Sequence, residues 1–331
     1  MNRFFSVFLI SFNVLFVNAQ KVELLSSGFK SSLRGLSVVD DNVVWVSGSN
    51  GTVAKSLNGG DTWQLIKVSG FEKTDFRDIE AFGENIALIM GIDSPGVILK
   101  TTDGGISWKI VFRNDRKGIF LDAMDFIDEK YGIVIGDPID NRFFVAKTID
   151  VGNSWTESNF KKRPFAASGE ACFASSGTNI RMLNRHQSIL VSGGLKSQIF
   201  INQKSYTLPI LQGKESTGAN SIAVKNKKHF IVAGGDFTQK DSCVKNLFIT
   251  KNGGKSWYAP SILPHGYRSC VEYIAGATWI TCGLNGVDIS NDNGNSFSLI
   301  SETGFHVCRK AKKGNAVYFA GGNGKIGKLV N

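Results

Sequence analysis

Histidine numbers only four in 331 residues, and the five cysteines form no CxxC pair and no Cys/His spacing suited to structural zinc. His186, His229 and His265 show no ligand spacing, which leaves them surface or packing roles. No metal and no cofactor is therefore expected. Long apolar runs are scarce as well. The stretch from Phe4 to Val17 is broken by Ser6, Ser11 and Asn13, too short and too interrupted for a permanent membrane span. Acid is in deficit: 28 Asp and Glu against 38 Lys and Arg leave a formal charge of +10. No nucleic-acid motif accompanies that charge, so nucleic acid is not an expected partner. The densest basic runs are Lys161-Lys162-Arg163, Lys225 to Lys228 and Lys310 to Lys313. They suit a solvated surface, an acidic protein or glycan, or an acidic membrane surface.

The N-terminus has the layout of a secretory signal. Arg3 is its only charge, an apolar stretch follows, and Val17-Asn18-Ala19 suits signal peptidase. The expectation is cleavage after Ala19 and export to the periplasm or the extracellular space. No cysteine follows that site to carry a lipid anchor. Cys172, Cys243, Cys270, Cys282 and Cys308 are odd in number, so at least one thiol stays unpaired within the chain. Cys270 and Cys308 occupy matching positions of adjacent repeats and are the expected pair if a disulfide forms.

What the chain has in quantity is a repeated turn. Thr101-Thr102-Asp103-Gly104-Gly105-Ile106-Ser107-Trp108 recurs at Ser56–Trp63, Thr148–Trp155, Thr250–Trp257 and Ser290–Phe297. The frame is Ser/Thr-x-Asp/Asn-x-Gly-x-Ser/Thr-Trp/Phe. The Asp or Asn side chain can bond N–H groups of its own turn, glycine supplies a positive φ, and the aromatic can plug the gap between sheets. This frame resembles the Asp box, or bacterial neuraminidase repeat, of β-propellers. The resemblance implies a turn between the third and fourth strands of each blade, and it identifies a fold and not a function.

The boxes start at Ser56, Thr101, Thr148, Thr250 and Ser290, with intervals of 45, 47, 102 and 40 residues. The long interval leaves room for one blade whose box has decayed, at Ile201 to Tyr206. These periods suit four-stranded blades. Six units run from about Ser32 to Ser301, and blade four is expected to begin with Ala171-Cys172-Phe173. The last unit, Phe305 to Val330, holds only three strands. Lys21 to Leu25 can supply the fourth and spare the sheet an open edge. The expected fold is all-β: a seven-bladed propeller over residues 20–331, closed by the N-terminal strand. Gly322 to Gly327 spells GxGxxG but lacks a following helix, so it reads as a turn.

Aligning the blades puts Arg34, Arg77, Asp78, Asp122, Glu170, Asn220, Arg268 and His306 at the channel mouth. The loops Gly91–Gly96, Gly136–Arg142 and Gly234–Ser242 are expected to overhang it. Arg34, Arg77 and Arg268 would be forked donors to carboxylate or phosphate. Arg34–Val39, Phe76–Phe82 and Gly136-Asp137-Pro138 carry a further resemblance, to propellers of the photosystem II stability and assembly factor type. It implies a non-catalytic scaffold, here one that binds a protein or an anionic ligand, and a monomer. The alternative is a sialidase-like glycosidase acting on acidic glycans, with Glu170 and Asp122 as its carboxylates. Against it, the early Arg-Ile-Pro motif of sialidases is missing. A redox activity has no motif to support it.

Overall fold

The computed structural model describes residues 20–331 except Asp93, Asn202 and Gln203. The expected signal segment, residues 1–19, lies outside the described residues. The strands fall into seven antiparallel sheets. Neighbouring innermost strands touch all the way round, and the ring closes where Val307–Lys310 meets Leu33–Val38. The protein is an all-β, seven-bladed propeller.

Each blade is a meander of short strands whose apolar residues are buried on both faces, because a neighbouring blade lies on either side. Trp45, Ile89, Val134, Val232, Ile280 and Phe319 on the second strands are all sealed from solvent. Closure follows the sequence expectation. Lys21–Leu25 pairs antiparallel with Ile326–Val330, from Lys21 opposite Val330 to Leu25 opposite Ile326. The GxGxxG segment is the turn between the last two strands.

The repeated turns share one hydrogen-bond scheme. In the second blade, Thr101 Oγ1 accepts from Gly105 N at 2.9 Å and donates to Asp103 Oδ1 at 2.8 Å. Asp103 Oδ1 also accepts from Ser107 N at 2.9 Å. These bonds hold the Asp103 carboxyl down at about 2, the Ser107 hydroxyl contributing most. Two consecutive residues are left-handed in every copy, and in the third blade one of them is Val151, with φ of 63°. Glycine is the residue that adopts this backbone without strain.

Blade four departs from expectation. Its innermost strand is Ile180–Asn184, followed by Gln187–Val191, Gln198–Ile201 and Lys204–Thr207. The segment expected there, Ala171-Cys172-Phe173, only begins in a two-residue strand, Glu170–Ala171, which pairs with Gly193–Gly194 and extends the sheet of blade five. The chain then spends Cys172 to Asn179 crossing the central channel. At the decayed box Ile201 pairs with Lys204, and Asn202 and Gln203 lie outside the described residues.

Two predictions follow from closure and turn chemistry. Removing Lys21–Leu25 bares the edge of blade seven, so a chain starting near Ser27 should melt well below the full protein or aggregate. An unchanged melting temperature would refute closure by this strand. Gly105 has φ of +92°, and a Cβ there would meet Ile66 Cδ1 at 2.8 Å. Gly105→Val should cost about 1–3 kcal/mol in chemical denaturation from backbone strain, whereas Asp61→Ala, at an exposed position of the first turn, should cost little.

Candidate functional site: the channel mouth

In four blades, one residue near the start of the innermost strand bulges out of the pairing. These residues are Arg34, Arg77, Asp122 and Asn220. A bulge re-aims a side chain, here Arg34 and Arg77 toward the rim of the channel, while Asp122 and Asn220 stay buried. Arg34 and Arg77 reach one pocket of about 440 Å³, walled by Phe120, Phe173, Phe237 and Tyr267 and bordered by Asp137 and His306. The loops Gly136–Arg142 and Gly234–Ser242 do contribute to it, through Asp137 and Phe237. Asp93 of the third expected loop lies outside the described residues.

The floor is the segment that crosses from blade four. Ser175 O accepts from Arg34 Nη1 at 3.4 Å, and Ser175 Oγ donates to Asn220 Oδ1 at 2.8 Å. Ser176 Oγ donates to Ser269 O at 2.8 Å, and Arg309 Nη2 donates to Gly177 O at 3.1 Å. One loop thus touches blades one, five, six and seven. Gly177 lies against the Asp78 carboxyl of blade two so closely that a Cβ would collide with it. Below the loop, the channel carries its own ion network. Arg181 reaches Asp125 and Glu272, both at 3.4 Å, and Arg309 reaches Glu272 at 3.9 Å.

Several expected members of the ring are elsewhere. Arg268 is fully buried inside blade six, its Nε donating to Asp288 at 2.8 Å and its Nη1 to Asn285 at 2.7 Å. The reason is register. Val271 N donates to Ser221 Oγ just as Met124 N donates to Asp78 Oδ2, so Ser269, not Arg268, is the counterpart of Arg77. Three arginines therefore do not converge. Glu170 is buried in the extension of blade five, where Ser192, Gln198 and the Ala167 N–H all donate to it. Asp78 is buried beneath the crossing loop, and burial pushes its carboxyl up to about 7.

Asp122 is sealed behind the pocket wall, and neither carboxyl oxygen has a hydrogen-bond partner among the described residues. Burial, reinforced by Asp137, drives its carboxyl well above the usual range. Burial also raises Asp137 to about 6, although its Oδ1 accepts from Cys172 N at 2.9 Å. His306 stays at the rim, but burial and the adjacent Arg34 depress its imidazole to about 4. It is neutral at pH 7, its Nδ1 bonded to Leu33 O at 2.8 Å. The cations of the mouth are thus Arg34 and Arg77. Arg77 Nε pairs with Asp75 at 2.9 Å, whereas Arg34 has no ion-pair partner among the described residues.

Sequence spacing missed a cluster away from the mouth. Cys270, Cys282 and Cys308, on three strands of blades six and seven, are buried with their sulfurs within 4.8 Å of one another. Cys270 and Cys308, the pair named for a disulfide should one form, stand with their Sγ atoms 3.7 Å apart as free thiols. Three sulfurs so placed could hold a soft metal ion. The sequence signal is that Cys270 and Cys282 face each other across one hairpin.

The ring of seven sheets defines a seven-bladed β-propeller with an aromatic-walled pocket at its channel mouth. Residues 17–118, the closing strand with blades one and two, match the sequence model of the family described as photosynthesis system II assembly factor YCF48. The chain as a whole is similar in fold to a structure of YCF48 bound to D1 peptide. That likeness has a TM-score of 0.65 at 14% identity and covers 96% of each chain. YCF48 from Cyanidioschyzon merolae gives 0.61 at 14% identity, over 93% of this chain and 98% of that one. The WD40 propeller domain of Doa1 gives 0.66 at 13% identity, over 94% and 97%. No curated protein matches the chain in sequence. The protein is a propeller like those of the photosystem II assembly factors.

The raised carboxyl of Asp137 yields a stability prediction. A carboxyl whose folded value lies above its unfolded value destabilises the fold as pH rises between the two. For Asp137 that window runs from about 4 to about 6. Asp137→Asn keeps an oxygen for Cys172 N and removes the titration. Variant and wild type should melt alike at pH 4, and the variant should melt higher above pH 6. A gap of the same size at both pH values would contradict the assignment.

Proposed function

We propose that this protein is an exported, non-catalytic binding scaffold that holds a segment of another protein at its channel mouth. An acidic side chain or a terminal carboxylate of that segment meets Arg34 and Arg77. The observation that carries this reading is that both guanidinium groups enter one aromatic-walled pocket and Arg34 has no carboxylate of its own there. Guanidinium forks suit carboxylates, and the surrounding rings supply apolar contact for the rest of a peptide. The relative solved with D1 peptide is a protein binder of the same fold, which agrees with this reading.

The glycosidase reading loses its parts. Its acids, Glu170 and Asp122, are buried outside the pocket, and Arg268 is committed to Asp288. A retaining mechanism needs two carboxyl groups about 5–5.5 Å apart on either side of the substrate.

The test is calorimetric titration with a panel of short peptides ending in a free carboxylate, each beside its C-terminally amidated twin. Peptides that bind should do so through the carboxylate. Arg77→Ala should weaken them by about 2 kcal/mol, roughly thirtyfold, because a charge-assisted bond is lost. Indifference of every bound peptide to Arg34→Ala and Arg77→Ala would remove the mouth from the binding site. Release of sialic acid from sialyllactose by wild type, lost in Asp122→Asn, would replace the scaffold with an enzyme.

A further inference from the structure

The aromatics that end the repeated turns each fill a gap between blades. Trp108 packs into the core between blades one and two, Trp155 between two and three, Trp257 between four and five, and Phe297 between five and six. Trp63 packs against the core shared by blades six, seven and one, which Val22, Ile300 and Leu329 also close. Five rings serve seven gaps: blade seven has no such turn, and Val22, Ile300 and Leu329 stand where it meets blade six, while the gap between blades three and four also receives no such ring. Among the described residues, its core is completed at the margin by Met182 alone.

A cleft of about 460 Å³ lies there. Its walls are core residues: Ile133, Ile135 and Val145 from blade three, and Ile180, Leu190 and Phe200 from blade four. Lys147, Lys162 and His186 stand at its rim. A basic groove adjoins it, sharing Lys162 and adding Arg142, Lys161 and Lys196. Lys147, Lys161 and Lys162 are exposed and have no ion-pair partner among the described residues. Phe160 and Phe165 are 44% and 60% exposed beside this groove, both stacked on the Arg142 guanidinium.

We propose that the cleft between blades three and four is a docking site for an aromatic side chain on an acidic segment of a partner protein. Each of the five turns supplies its own ring; here the ring comes from outside. The walls are apolar core residues of two neighbouring blades, and the uncompensated lysines favour negative charge next to the ring. The apolar and basic surface extends past the cleft to Phe160 and Phe165. That reach exceeds one small molecule and suits a chain carrying acids on both sides of the ring.

The site shares no residue with the Arg34 and Arg77 pocket, so either can fail without the other. The probe is a fluorescein-labelled peptide, acetyl-Glu-Asp-Trp-Asp-Glu-amide, followed by polarisation against the full chain. Binding should weaken about tenfold or more when the peptide Trp becomes Ala, and likewise when its acids become lysine. Lys161→Glu with Lys162→Glu, which disturbs no core residue, should weaken it similarly, and Arg77→Ala should leave it unchanged. Val145→Trp, filling the cleft from within, should abolish binding and raise the melting temperature. Absence of binding, equal affinity for the Ala peptide, or full affinity in the lysine double variant would overturn the proposal. So would indole-3-acetate binding as tightly as the peptide.

Discussion

Sheets set radially around an axis diverge as they leave it, and the widening wedge between them must be filled or it destabilises the ring. Everything else in this protein answers to that constraint. The innermost strands can pack on small and branched residues, but the periphery needs bulk, and in five blades the turn after the third strand delivers an indole or a phenyl ring there. The Ser/Thr and Asp/Asn of the turn are the means by which the ring is aimed. They fix two left-handed residues in place, and the chain then turns back with its aromatic pointing at the previous blade.

The same constraint explains why the fold was legible from sequence and the mouth was legible only in part. The turn is a local device whose bonds span four residues, so its signature is written contiguously and repeats with the blade. Closure was readable because an odd strand remained at each end and an unpaired edge is costly. The mouth depends on register, to which the boxes are blind. Arg268 misses it by one residue, since a one-place slip sends a side chain into the neighbouring layer. Glu170 misses it because blade four starts late, after a crossing made of Ala174, Ser175, Ser176 and Gly177. That run of small residues was the available signal, but it fell just after the first strand expected at Ala171-Cys172-Phe173.

Charge was legible in total but not in its arrangement. The sequence supplies an excess of base, yet Arg181, Arg268 and Arg309 spend theirs on buried acids of the channel and blade six. Of what remains outward, Arg34 and Arg77 face the mouth and the run from Lys161 lines a groove on the side of the ring. Burial decides the acids similarly: it drives Asp122 well above the usual carboxylate range and Asp137 up to about 6, so each takes up its charge less readily than an exposed carboxylate would.

The loop from Cys172 to Asn179 makes the propeller a cup and not a tube. Its bonds to Ser269 and Arg309 set it between the pocket of the arginine face and the ion network below. The two faces of the disc are therefore separated by a crossing segment of the chain itself. A partner seated in the cup leaves the opposite rim free for a second, unrelated contact, and an assembly could be stacked along the axis with this disc as its spacer.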